Sequence, residues 1–546
     1  MQVTKVSVAR RAVDAPGRGD EPSAAPPRHR GLALGVLCVS VLIVSLDNTV
    51  LNVALPTLVR DLGATSTDLQ WIVDAYVLVF AGLLLVAGSV ADRFGRKWTF
   101  LVGLAAFAGC STWAAFSGSV GMLTAARASM GVGGALIMPA TLALITNLYP
   151  ETRERQRAFG VWAGTTGAGV ALGPIIGGLL LAHFSWGSVF LINVPIAALG
   201  LGLAIPFVPN SKNPEAERPD LLGALLSIAG LGLLIWAIID VPVHGWVSPT
   251  VIGAGIGGLV VLAGFTVWER YTAQPMLKLS FFGNRQFSVA VVSVSMVMFG
   301  LFGALFVLTQ FLQFDLGYTA LQTGIRVLPA AGAIAVVAPL ASILDRIFGG
   351  RLVVGAGLLL IAAGLWQVSA STVTTTYVET LPGIVMLGVG AALVIPSVTS
   401  SVMGSLPAHH TGVGAAINSA FLQVGGALGV AVLGSQLSTR YQSGMLTSLA
   451  PYHVPAGVET TILGSIGGAL EVAGREGGMI GSVLAGWARD AFVSGMDLAL
   501  LTGALVAAVA GLVALVALPA SRPRPGPPRP RVVALPPASE GGEEER

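Results

Sequence analysis

The chain has 546 residues, of which 54% are apolar and only 10% charged, with 30 Lys and Arg against 27 Asp and Glu for a formal net charge of +3. So few charges cannot cover a water-facing surface, where about a quarter of residues are charged, and a soluble globular domain is excluded. The apolar residues fall in continuous runs of about 20, the length of a membrane-spanning helix, whereas barrel strands would alternate with a period of two over about ten residues.

Residues 1–30 are polar and carry Lys5, Arg10, Arg11, Arg18, Arg28 and Arg30. The apolar run that follows exceeds the core of a cleaved leader, so it reads as a first span behind a disordered cytoplasmic N-terminus. Spans are expected at about 31–54, 71–91, 98–117, 121–146, 158–182, 186–207, 221–241, 249–268, 287–313, 320–344, 351–371, 381–403, 412–436 and 491–518. Cys38 and Cys110 sit inside apolar runs and read as small hydrophobes. Ile462 to Gly486 is apolar enough to suggest a fifteenth span, but Glu471, Arg475 and Glu476 fall at its middle, and a charge at a bilayer centre costs about 2.5 to 3.5 kcal/mol. Residues 437–488 are therefore expected to form an external loop with an interfacial helix. The tail, 519–546, is rich in Pro, Arg and Glu and is expected to be a disordered cytoplasmic segment.

With both ends inside, the cytoplasmic segments hold 24 of the 30 Lys and Arg; only Arg60, Arg440, Arg475 and Arg489 lie outside, and Arg127 and Arg326 lie within spans. The positive-inside rule then places both termini in the cytoplasm of a multi-pass plasma-membrane protein. GSVADRFGRK at 88–97, after span 2, is echoed by LDRIFGGR at 344–351, after span 10. A second unit therefore begins at span 9, giving an N-terminal six-helix bundle (31–207), an inserted pair (220–268) and a C-terminal six-helix bundle (287–518), a repeat-based plan known among transporters.

Five segments in order, LDNTVLNVALP at 46–56, QWIVDAYVL at 70–78, GSVADRFGRK, LTAARASMGVGGA at 123–135 and GVALGPIIGG at 169–178, resemble the motifs of the fourteen-span drug:proton antiporter branch of the major facilitator superfamily. The resemblance runs from Gly31 to Leu518. It implies an all-α membrane protein with the major facilitator fold in a 6+2+6 arrangement, exporting drug-like or antibiotic molecules by proton antiport through alternating access. Export of an endogenous metabolite, siderophore or peptide is the alternative. Span 6 departs from the family by opening Trp186-Gly187-Ser188 where relatives have Trp-Arg-Trp, and Leu422 stands where relatives often have Arg.

Asp47 lies about fifteen residues into span 1 and Arg127 about eight into span 4 from the opposite side, roughly 22 Å and 18 Å above the inner face at 1.5 Å per residue in a ~30 Å core. The two can share a level. Intramembrane ionisable residues are functional by default, so Asp47 is expected to load and release a proton while Arg127, which stays charged, holds the carboxylate. A fixed ion pair that only specifies packing is the bland alternative. Asp74, near the outer end of span 2, is read either as a second proton or cation site or as a carboxylate reaching headgroup water; Asp240 and Asp315 are read as solvated caps.

Gly169, Gly173 and Gly177 recur every fourth residue on one helical face, with Gly178 beside them, and admit a close neighbour; Pro174 weakens the segment. The resemblance implies that this helix seals the cavity, and that the loop motif of Gly88, Asp92, Arg93, Gly95, Arg96 and Lys97 latches the halves, although positive-inside topology alone also explains its basic residues. Gln310, Gln313, Asn418 and Gln423, with Trp236, Trp366 and Phe299 at similar depth, are candidates for a substrate pocket or for simple interhelical bonding.

The four lysines, Lys5, Lys97, Lys212 and Lys278, follow Thr, Arg, Ser and Leu, so no Gly-Lys-Ser/Thr phosphate loop is present. No His precedes a Glu and no Gly-x-Ser-x-Gly occurs; His409 and His410 read as solvated. A transporter is therefore expected rather than an enzyme, with no cofactor, metal or nucleic acid, acting as a monomer on a small molecule and protons.

Overall fold

The structure, a computed structural model, describes residues 29–213, 218–406 and 411–519. The two expected disordered tails fall almost wholly outside the described residues, as do His409 and His410. Fourteen helices among the described residues are long and apolar enough to cross a membrane. In the first half they are α1 (Arg30–Leu62), α2 (Ser66–Phe94), α3 (Arg96–Ala115), α4 (Val120–Leu148), α5 (Thr152–His183) and α6, which is interrupted at Ile192 (Ser188–Leu191 and Asn193–Phe207). The inserted pair is α7 (Leu221–Ile239) and α8 (Pro249–Tyr271). The second half holds α9 (Arg285–Gln310, continued by a π-helical turn Phe311–Asp315), α10 (Ala320–Phe348), α11 (Gly350–Ser369), α12 (Tyr377–Gly404), α13 (Thr411–Leu449) and α14 (Gly478–Ala517).

Local chemistry sets the tight turns. α1 ends at Gly63, in the left-handed region at φ 64°, where glycine carries no Cβ penalty. Two residues on, Thr65 starts α2 with a capping box: its hydroxyl accepts from the Asp68 amide while the Asp68 carboxylate accepts from the Thr65 amide at 2.9 Å, satisfying two helix-end donors at once.

The halves repeat one packing scheme. In the first, α1 lies on α5, and α4 on α2 and α3; in the second, α9 lies on α13, and α12 on α10 and α11. The halves then join reciprocally, α2 against α13 and α5 against α10. The inserted α7 packs on α2 and also reaches α13, with Gly82 receiving Ile228 and Gly232 receiving Leu78.

The segment expected to be external differs from expectation. α13 has 39 residues and α14 has 40, about 60 Å each at 1.5 Å per residue, twice a ~30 Å hydrocarbon core. The loop expected over 437–488 is thus contracted to residues 450–477, which hold two short helices, Ala456–Gly464 and Ile466–Glu476. The polar residues after Gln436 stay helical because α14 packs alongside: Gly495 sits against the Leu437 carbonyl and Gly444 against Ala491. The charged run that argued against a fifteenth span lies on the second short helix, where Glu471 pairs with Arg475. That helix folds back, with Gly467 against Val59 of α1 and Phe314 of α9.

Candidate functional site

α2 carries two unlike faces. Residues 72, 76 and 80 stack one turn apart and face α4, where Gly131 and Gly134 let Tyr76 and Phe80 approach. Residues 70, 74, 78 and 82 lie on another face, about 200° away at 100° per residue; Gln70 meets Gly434 of α13, and Leu78 and Gly82 meet α7.

On the first face, Arg127 of α4 reaches across to α1 and donates through Nη1 to Asp47 Oδ2 at 2.5 Å. Its Nε donates to the Ile72 carbonyl at 3.2 Å, and its guanidinium lies 4.4 Å from the centre of the Tyr76 ring. Both charges are sealed from solvent, Asp47 at 2% and Arg127 at 1% exposure. The other carboxylate oxygen, Oδ1, accepts from Asn193 Nδ2 at 3.2 Å, and the same amide lies 2.9 Å from Ser111 Oγ on α3. Helices α4 and α6 therefore both donate to the carboxylate of α1, and α2 and α3 hold the two donors in place. Ionised hydrogen-bond partners are about twice as strong as neutral ones, and removing one partner from such a pair is costly because the other charge is stranded.

On the second face, Asp74 is also fully buried but has no hydrogen-bond partner at either oxygen. Gln70 Oε1, one turn away, likewise lacks a donor, as does Ser435 Oγ on α13. The alternative of Asp74 reaching headgroup water is excluded by its 0% exposure. Asp240 and Asp315 also depart from the solvated-cap reading: Asp240 pairs with His244 at 2.8 Å, and both oxygens of Asp315 are buried without a partner.

The glycine face of α5 makes two seams. Gly169, Gly173 and Gly177 lie against Ser45, Thr49 and Val50 of α1, so the helix bearing Asp47 is held to α5 by the residues two before and two after that carboxylate. Past Pro174 the same helix joins the other half: Gly178 lies against Leu321, and the Pro174 carbonyl packs on Gly324 of α10. Gln313 Nε2 adds a bond to the Val53 carbonyl at 3.0 Å. These contacts close the end of the bundle holding the α1–α2 turn. Toward the other end Val161 of α5 and Val336, Ile343 and Ile347 of α10 are exposed.

The loop motif is folded onto its own half and the chain leading to α7. Arg96 donates to Asp92 at 2.8 Å and Lys97 to the Ile205 carbonyl at 2.6 Å, while backbone bonds join Arg96 to Ser211 and Asn213 to Asp92. Gly95, at φ 112°, sits against Asn210. Gly88 faces Pro139 at van der Waals distance.

The pocket candidates separate. Gln310 is buried and donates to the Phe306 carbonyl in its own helix at 3.0 Å, and Gln313 serves the closed end. Asn418 Nδ2 lies 3.5 Å from Thr399 Oγ1, leaving Oδ1 unpartnered; Gln423 is half-buried. Phe299 packs under Gly429, and Trp366 points outward with 64% exposure. Asn193 and Ser111 were missed. An amide in the otherwise apolar FLINVP run was the available signal; nothing distinguished Ser111 from other serines in spans.

The Major Facilitator Superfamily profile matches residues 37–430. The chain is 34% identical to the tetracenomycin C resistance and export protein of Streptomyces glaucescens, over 88% of its own length and 90% of that relative's. It is equally identical to the multidrug efflux pump LfrA of Mycolicibacterium smegmatis, over 89% and 96%, and 37% identical to the puromycin resistance protein pur8 of Streptomyces alboniger, over 75% and 82%. Among solved structures, an inward-facing, unoccupied bacterial homolog of the human lysosomal transporter Spinster superposes with a TM-score of 0.63 at 16% identity, covering 90% of this chain and 97% of that one. The chain belongs to the major facilitator superfamily. It is an all-α, multi-pass membrane protein with fourteen spans in a 6+2+6 plan.

Proposed function

We propose that this protein exports drug-like or antibiotic small molecules from the cell by exchange for protons, by alternating access in the plasma membrane, with both termini in the cytoplasm. The observation that carries the coupling is the sealed pair between Asp47 of the first-span motif and Arg127 of the fourth-span motif, tied by Asn193. A proton on Asp47 removes the charge that Arg127 holds, which frees α1 from α4. Because α1 is seamed to α5 at Thr49 and Gly173, and α5 holds α10 at Pro174 and Gly324, a shift of α1 is passed to the contact that closes the outer end. Asp74, bare of partners, is the carboxyl suited to hold a second proton while the halves stay packed along α2 and α13. The names of the relatives, a resistance and export protein, a multidrug efflux pump and an antibiotic resistance protein, support the direction of transport and the substrate class.

The energetics suffice: one proton moving down 100 mV and one pH unit releases about 2.3 plus 1.36 kcal/mol, enough for a gradient of a few hundred-fold. The test is proton release from reconstituted vesicles on addition of a compound panel. Asp47→Asn is expected to lower proton-driven efflux at least about 100-fold while the protein remains in the membrane. Unchanged coupling in that variant would refute the assignment. The same panel separates foreign drugs from a self-made compound, since the alternative expects response to one endogenous class alone.

A further inference from the structure

The inserted pair takes no part in the exchange just described, yet its foot carries more charge than a spacer needs. α8 ends with Trp268, Glu269, Arg270 and Tyr271, and α7 starts one residue after Asp220. Trp268 Nε1 lies 3.0 Å from both Asp220 oxygens, and Asp220 Oδ1 also accepts from the Gly223 amide at 2.9 Å. Glu269 is 3% exposed. Its Oε2 accepts from the Leu277 amide at 3.0 Å, tying down the chain that leads to α9, but its Oε1 has no donor. The two carboxyl groups are neighbours across Gly223, since a Cβ there would fall 2.6 Å from Asp220 Oδ2 and 2.7 Å from Glu269 Oε1.

Glu269 also lines a cavity of about 460 Å³, completed by Arg270, Pro275, Lys278, Leu279 and Ser280. Among the described residues neither Arg270 nor Lys278 has an ion-pair partner. The pocket therefore holds an acceptor without a donor and two cations without an anion. Trp268 and the exposed Tyr271 place this cavity at headgroup level, where such aromatic residues gather. A buried carboxyl with one open acceptor, sharing a pocket at that depth with two unpaired cations, is complementary to a zwitterion whose positive end bears N–H groups.

We propose that the foot of the inserted pair binds the headgroup of an aminophospholipid, its primary ammonium donating to Glu269 and its phosphate meeting Arg270 and Lys278. Bound there, the lipid joins α7, α8 and the Leu277 segment at the start of the second half.

The test uses the full chain in nanodiscs of equal phosphatidylethanolamine, phosphatidylcholine and phosphatidylglycerol, with retained lipid counted by native mass spectrometry. Phosphatidylcholine keeps the phosphate and the positive charge but has no N–H, and phosphatidylglycerol has no cation. Wild type is expected to retain phosphatidylethanolamine about tenfold over both, the scale of one charge-assisted hydrogen bond. Glu269→Gln keeps an acceptor for Leu277 and is expected to bring that advantage within twofold while phosphatidylglycerol retention stays the same. Lys278→Gln should lower all three together. Equal retention of the three lipids by wild type overturns the proposal without any variant. So does an ethanolamine preference that survives Glu269→Gln, because the two carboxyls would then share only a proton.

Discussion

Asp47 and Asp74 are buried to the same degree and are treated in opposite ways by their surroundings. Asp47 faces a guanidinium and a side-chain amide, so the interior there is organised around a charge. Asp74, on the next helix, faces no donor at all, and an ionised carboxylate without partners costs several kcal/mol in such a place. The difference follows from the helix period. Residues 72 and 76 of α2 turn toward α4, the partner within the same half, whereas residue 74 shares the face whose Gln70 meets α13 of the other half and whose Leu78 and Gly82 meet α7. Charge is held where the packing is internal to one bundle, and the bare carboxyl lies on the helix face turned away from it.

The comparison breaks most visibly at Arg127. Arg127→Met strands the Asp47 carboxylate and should lower stability by about 3 to 5 kcal/mol, read from thermal unfolding of the purified protein. Adding Asp47→Asn should recover most of that loss. If the double variant also regained proton-driven export, the pair would be a packing device and nothing more. A smaller effect is expected at Asn193: Asn193→Ala removes one bond to an ionised group and leaves Ser111 without its partner, a loss of about 1 to 3 kcal/mol. The smallest is expected at Asp74, where Asp74→Asn replaces a neutral acid by a neutral amide and should shift stability by less than about 1 kcal/mol. The infrared carbonyl band of a protonated carboxyl should be present in wild type and absent from that variant. A large destabilisation there instead would mean that Asp74 is ionised and has a partner.

Much of this arrangement is legible along the chain. Runs of about 20 apolar residues, the Lys and Arg asymmetry and the echo of residues 88–97 at 344–351 carry the span count and the repeat, because the bilayer imposes its thickness and desolvation cost on each segment separately. The ends of α13 and α14 that flank residues 450–477 are not legible in that way. Their polar residues leave the membrane, and they remain helical only because Leu437 and Gly495 pack across the pair.

The amino-acid sequence by itself determined that Asp47 and Arg127 share a depth, since rise per residue is a local property, and that Gly169, Gly173 and Gly177 share a face. Only the tertiary structure decided who meets them. It set Arg127 on Asp47 through the α2–α4 glycine contacts, brought Asn193 from a helix 146 positions away, buried Asp74 without a partner and put Pro174 on Gly324. Partner choice depends on which helical faces pack together, a property of pairs of segments that no single segment contains.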